Sequence, residues 1–143
     1  MRKGSDFYAK ECYCESIRHI ASQITKLYDR KIKKAGITCQ QFSTLECIRE
    51  MQPVSVTELS RKMGLDRTSL SRNLKIMKSN FLIEDHGEKG RSRQIVLSEY
   101  GKTTLLEAEK QWERAQENLE SMFDPEQLKY FKELLNVFVE RLN

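Results

Sequence analysis

One arrangement of residues recurs along this chain: a short oxygen-bearing side chain, an acid or amide three residues later, and an apolar residue on either side of the pair. In "ITCQQF" the polar partners are Thr38 and Gln41, flanked by Ile37 and Phe42. In "VSVTEL" they are Ser55 and Glu58, flanked by Val54 and Leu59, and in "FDPEQL" they are Asp124 and Gln127, flanked by Phe123 and Leu128. Each set is a capping box with a hydrophobic staple, in which two backbone amides at a helix start are satisfied reciprocally by side chains. Pro125 adds a residue suited to the first helical position. A fourth start, "GLDRTSL", offers Asp66 as cap, with Leu65 spaced to meet Leu70. A chain punctuated in this way is mostly helical, with short connections.

The apolar periods say what the helices face. Cys14, Ile17, Ala21, Ile24 and Tyr28 step by three and four along a first long helix. Leu105, Ala108, Trp112, Ala115, Leu119 and Met122 do the same over residues 98 to 122, in a stripe as narrow as a coiled-coil seam. A final helix carries Leu128, Phe131, Leu135, Phe138 and Leu142. The two ends of the chain thus present apolar faces that the middle is too small to cover. Burial against a second copy of the chain is the economical solution, and an intramolecular bundle is the alternative. Between the ends, Pro53 closes one helix, and residues 55 to 64 and 66 to 79 form two short helices about a turn at Gly64 and Leu65. "FLIEDH" and "SRQIVL" then read as two strands around the glycine-bearing, cationic segment "GEKGR". Helix, helix, helix and a two-stranded ribbon is the order of a winged helix-turn-helix. The expected fold is mostly α with a small β-wing, a single domain over residues 1–143. Residues 37–98 form the winged helix-turn-helix, and residues 1–36 and 99–143 supply homodimerisation helices.

Charged residues make up 32% of the chain, but the net charge is only +4, so any polyanion site must come from local clustering. No run of 18 apolar residues and no signal-peptide pattern at the start points to a soluble, cytoplasmic protein with no membrane partner. The four cysteines, Cys12, Cys14, Cys39 and Cys47, contain no Cys-x-x-Cys pair and are expected to be thiols. Cys12 and Cys14 lie on opposite flanks of a helix and chelate a metal poorly, even with His19 added, so no metal or cofactor is expected. His19 and His86, the only histidines, sit in no nucleophile motif, and no phosphate-cradling glycine loop occurs. Catalysis is not expected.

The second helix of the helix-turn-helix spends few residues on a core. Leu70, Leu74 and Met77 anchor it, while Arg67, Thr68, Ser69, Ser71, Arg72, Lys75 and Lys78 cover the remainder. Hydroxyls and amides near a helix start suit phosphates, and a guanidinium further along reaches guanine O6 and N7 in two bonds. Arg72 is the expected base reader, flanked by Ser69, Ser71 and Lys75, while Arg67 and Thr68 position phosphates. The face suits double-stranded DNA. Two alternatives are an ordinary solvated face and a protein-interaction adaptor that meets an acidic partner. Only a DNA reader combines a steep loss of affinity with salt and a large gap between specific and random duplexes.

"VTELSRKMGLDRTSLSRNLKIMKSNFLIE", followed by "GRSRQIVLSEYGK", resembles the MarR family of transcription regulators, and the likeness covers nearly the whole chain. The resemblance implies a pyramidal homodimer, commonly a repressor, that reads a palindromic operator. It also implies release from DNA by a small phenolic or anionic effector or by an oxidant. Family members usually carry an aspartate two residues before the wing arginine that enters the minor groove; here Lys89 precedes Arg91. Arg91 is still the expected groove contact, and the alternative is an electrostatic wing in which Lys89, Arg91 and Arg93 touch phosphates. Phe81 replaces the glycine that commonly ends the recognition helix, so Asn80 is expected to take the left-handed position. The redox-sensing branch of the family, the organic hydroperoxide resistance regulators, implies a reactive cysteine at Cys14 with Tyr28 as a partner. The other expected tyrosine positions hold Arg18 and Cys39. An inert thiol in an apolar stripe is the competing explanation for Cys14.

Overall fold

The computed structural model describes residues 12–87 and 93–143. Helix α1 is Tyr13–Ile32, and a single 3₁₀ turn, Lys33–Ala35, leads through left-handed Gly36 to α2, Cys39–Met51. Helices α3, Val56–Met63, and α4, Arg67–Ser79, follow about a turn at Gly64, whose φ of 63° suits a residue without Cβ. Strands β1, Ile83–His86, and β2, Gln94–Leu97, pair antiparallel with Ile83 opposite Leu97 and His86 opposite Gln94. Two long helices end the chain, α5, Glu99–Glu120, and α6, Pro125–Leu142. This is the mostly helical winged helix-turn-helix expected from the sequence.

The helix starts lie where the sequence marks them. Thr38, Ser55 and Asp124 each close a reciprocal capping box, with Gln41, Glu58 and Gln127 respectively. Asp66 accepts the backbone N–H groups of Thr68 and Ser69 at 2.9 and 3.0 Å. The stapling partners Ile37, Phe42, Val54 and Leu59 are all buried. Capping thus fixes the helix ends and aims the chain into one core, formed where α2, α3 and α4 meet the sheet. The core is closed by Ile32 at the end of α1 and by Leu105 and Ala108 in the first half of α5. The sheet gains an outer bridge where Val54 and Ile95 exchange both backbone hydrogen bonds. Nearby, the Gln52 side chain accepts the Leu97 N–H at 2.9 Å. By contrast, no residue of α6 is buried.

The exit from α4 differs from expectation. Asn80 sits at φ −90° and ψ 11°, and Phe81 takes the left-handed position at φ 60°. The reason lies in the hydrogen-bond pattern. The Leu82 N–H reaches back to the Met77 carbonyl and the Phe81 N–H to the Lys78 carbonyl, each at 3.0 Å. That is the Schellman closure, which requires the left-handed residue one position beyond the helix cap, whatever its type. The strain is held because Leu82 must be buried and because both neighbouring carbonyls are taken by one serine. The Ser98 hydroxyl donates to Phe81 O at 2.5 Å, and its backbone N–H donates to Leu82 O at 3.2 Å. Ser98 Oγ also accepts the Gly101 N–H at 2.8 Å, capping α5. Gly101 lies so close to this corner that a Cβ there would stand 2.0 Å from the Leu82 carbonyl oxygen.

Phe81→Gly relieves the left-handed strain while removing a ring that is mostly exposed, and is expected to stabilise the fold by about 1 kcal/mol in denaturant titration. Gly101→Ala is expected to cost about 3 kcal/mol, because the clash is with backbone that cannot rotate away.

Candidate nucleic-acid interface

Helix α4 is held on one side only. Leu70 and Met77 are fully buried and Leu74 nearly so. The spacing of three and four places these residues on one stripe and turns everything else outward. Beneath the helix the Asn73 side-chain amide donates to the Thr44 hydroxyl at 3.4 Å, and that hydroxyl donates to the Gln40 carbonyl. This polar pin on α2 was not anticipated from the sequence. It depends on a long-range contact between residues that each look ordinary in their own helices.

Of the predicted site residues, Arg67, Thr68, Ser71, Arg72 and Lys75 line one open concave surface along the first three turns of α4. Three cations and two hydroxyls therefore share one exposed face, while the Thr68 and Ser69 amides at the helix start are taken by the Asp66 carboxylate. Ser69 lies apart from that surface. Its hydroxyl and backbone amide, then the Thr68 amide and the charge of Arg72, hold the Asp66 carboxyl below the usual aspartate range. Lys78 also turns elsewhere, with its ammonium donating to the Asp85 carboxylate on β1. Arg93, just before β2, approaches the same carboxylate at 4.0 Å. Lys89 and Arg91 lie outside the described residues.

The remaining predicted residues are not brought together within one chain. Cys14 is exposed near the start of α1, and Tyr28 lies 14 residues along the same helix, about 21 Å away at 1.5 Å per residue. The Tyr28 hydroxyl instead donates to the Gln116 side chain on α5. Burial raises the Tyr28 pKa first, with Cys39 and Glu120 adding to it. Burial likewise raises the pKa of Cys39, and Asp29, whose carboxylate accepts the Cys39 N–H at 2.6 Å, contributes further. No group of three or more metal-ligating side chains occurs among the described residues, and no described helix is long and apolar enough to cross a membrane.

Two clefts flank the junction of α2 with α5. Phe42 and Trp112 stack between them with ring centroids 6.4 Å apart. One cleft is acidic, lined by Glu46, Glu109 and Glu113 beside Cys47. Arg49 bridges Glu46 and Glu109 at 2.6 Å each, tying α2 to α5. Burial pushes the Glu46 carboxyl up, opposed by Arg49 and reinforced by Glu109. The other cleft, about 480 Å³, is mostly apolar, with Ile24, Leu128 and Phe131 near Tyr28.

Helix, turn, helix and ribbon, with the outer helix face polar and cationic, define a winged helix-turn-helix protein. The MarR family model matches residues 37–84, the stretch from the start of α2 into β1. Over 135 residues the chain is 22% identical to the uncharacterized HTH-type transcriptional regulator YwoH of Bacillus subtilis, covering 94% of this chain and 98% of that protein. The structure resembles the Mycobacterium tuberculosis transcriptional regulator MosR in complex with DNA, with 30% identity, a TM-score of 0.76, and 93% of this chain and 99% of that one covered. It also shares its fold, at 17% identity and a TM-score of 0.81, with the transcriptional repressor CouR bound to a 23-mer DNA duplex, covering 92% and 95% of the two chains. The chain belongs to the MarR family.

The depressed Asp66 pKa carries a sign. Its folded value lies below the unfolded one, so its contribution to stability is full above the ordinary aspartate pKa of about 3.9 and is lost as pH falls through the folded value. Asp66→Ala is expected to lower the unfolding temperature at about pH 7, with the difference from the parent shrinking by about pH 3.

Proposed function

We propose that this protein is a sequence-specific, DNA-binding transcription regulator that acts as a homodimeric repressor. The observation that carries the reading is the one-sided burial of α4. Leu70, Leu74 and Met77 face the core, while Arg67, Thr68, Ser71, Arg72 and Lys75 share an open surface of the length that enters a major groove. In this reading Arg72 reaches a guanine edge and Lys75 contacts phosphate. On the same reading, Arg67 and Thr68 offer a guanidinium and a hydroxyl to phosphates near the helix start. The likeness to MosR, whose structure was solved with DNA, supports the same reading. An adaptor role draws no comparable support.

The homodimer rests on the terminal helices. Along α6 the rings and branches of Phe131, Leu135, Phe138 and Leu142 are exposed, in a contiguous apolar face that a lone soluble chain rarely presents. Two copies sharing these helices place two α4 helices on one side. With one helix per major-groove turn, the half-sites are about ten base pairs apart, centre to centre.

An effector would act at the apolar cleft by Tyr28, which suits a small phenolic molecule. The neighbouring acidic cleft, lined by Glu46, Glu109 and Glu113, suits an anion less well.

Selection of bound sequences from random duplex DNA tests the whole reading, which predicts an enriched two-fold symmetric site; recovery of no preferred sequence would reject it. On the selected duplex, Arg72→Ala is expected to lose about 1 to 3 kcal/mol of binding and to relax preference at one base pair per half-site. Lys75→Ala is expected to weaken binding to every duplex alike and to make the salt slope shallower by about one. Phe138→Glu, which puts charge on the exposed face of α6, is expected to sediment as a monomer and to bind the full site no better than a single half-site.

A further inference from the structure

Three charges meet where the core-facing side of the ribbon runs out past the last turn of α4. In β1 the residues alternate, with Ile83 buried, Glu84 exposed, Asp85 half-buried and His86 exposed. Asp85 therefore points the same way as Ile83, toward α4. Its partner in the register is Ile95, which makes Arg93 its diagonal neighbour across the strands. The Asp85 side chain is only 20% exposed, whereas that of Arg93 is 77% exposed. A carboxylate with this much of its water removed needs a cation at hand. Lys78 supplies it from α4 by direct hydrogen bond, which leaves the longer Arg93 contact as the one that can be exchanged for DNA.

We propose that Asp85 is the positioning residue of the DNA interface: it locks the base of the ribbon to α4 through Lys78 and aims Arg93 at the duplex. Lys78 then acts as an internal counter-ion and not as a phosphate contact. Arg93 makes the ribbon's contact from its place just before β2. The angle between ribbon and helix decides whether Arg93 and Arg72 engage the same site together. Asp85 therefore governs discrimination between sequences more than overall affinity.

The inference rests on the DNA-binding reading, and the two fail separately. The probes are a duplex selected from random sequence by the parent protein and a scrambled duplex of the same composition, titrated at several salt concentrations. A parent that fails to distinguish them rejects the DNA-reading function itself. Given a discriminating parent, simple electrostatics predicts that Asp85→Asn, which removes a negative charge beside a polyanion, binds both duplexes more tightly with their ratio unchanged. Positioning predicts that the ratio falls about tenfold, the order of one good base contact, while the scrambled duplex is bound at least as well as before. Asp85→Glu, which keeps the charge, is expected to restore most of the ratio. An unchanged ratio in Asp85→Asn would overturn the proposal. Lys78→Met is the second reading: its salt slope should equal the parent's, and a slope shallower by about one would mean that Lys78 touches phosphate.

Discussion

The arrangement of this molecule depends on one serine. Ser98 stands at the point where α4, the ribbon and α5 converge, and its hydrogen bonds bind both sides of the junction. It donates to the carbonyls of Phe81 and Leu82 on the exit from α4 and accepts the Gly101 amide at the entry to α5. Gly101 lets the two backbones approach to a distance that any Cβ would block. A left-handed phenylalanine is tolerated in this place because everything around it is fixed first. Leu82 is committed to the core, and its carbonyl is committed to α5. The strain is local, and the corner it serves sets the direction in which the recognition helix leaves the core.

Charge in this protein is informative only by location. A net charge of +4 on 143 residues would place it among ordinary soluble chains. The structure separates the signs, with Arg67, Arg72 and Lys75 on the open face of α4 and Glu46, Glu109 and Glu113 in the cleft between α2 and α5. Such segregation steers a polyanion to one face and away from the other. It also explains why Lys78 and Ser69 fall outside the shared surface although they lie on the same helix. Each is consumed by a nearby carboxylate, Asp85 and Asp66 respectively, which the fold requires to be satisfied.

How much of this is legible in the sequence follows from how local each feature is. The four helix starts are decided within six residues, so Thr38, Ser55, Asp66 and Asp124 stand out from their immediate neighbours alone, and each caps as expected. The stripe of Leu70, Leu74 and Met77 is likewise a property of one helix, and it identifies the outward face. Residue preference points to Asn80 for the left-handed position, but the closing hydrogen bonds overrule it, since the Schellman geometry assigns that position by count from the helix end. Asp85 gives no sign of its role in the sequence. There it is one acid of "IEDH", and only the pairing of β1 with β2 and its packing on α4 bring it to Lys78 and Arg93. Asn73 and Thr44 are hidden for the same reason, 29 residues apart and ordinary singly.

Helix α5 joins the two halves of the proposed regulator, and its attachments suggest how they communicate. Its first turn is fixed to the exit from α4 by Ser98 and Gly101, and two turns on Glu109 is tied to α2 through Arg49. Further along, Gln116 accepts from Tyr28 of α1. Its 22 residues extend about 33 Å without a proline or an interior break. A rod gripped at one end by the reading head and bonded to α1 further along transmits displacement with little loss. In the proposed dimer, then, the spacing of the two α4 helices would follow from how the terminal helices pack, and the proposed effector, wedged beside Tyr28, would act on that spacing without touching α4. The Tyr28–Gln116 bond lies at the wall of the apolar cleft, so an occupant able to take the tyrosine's hydrogen bond would compete directly with the contact that holds α1 to the rod.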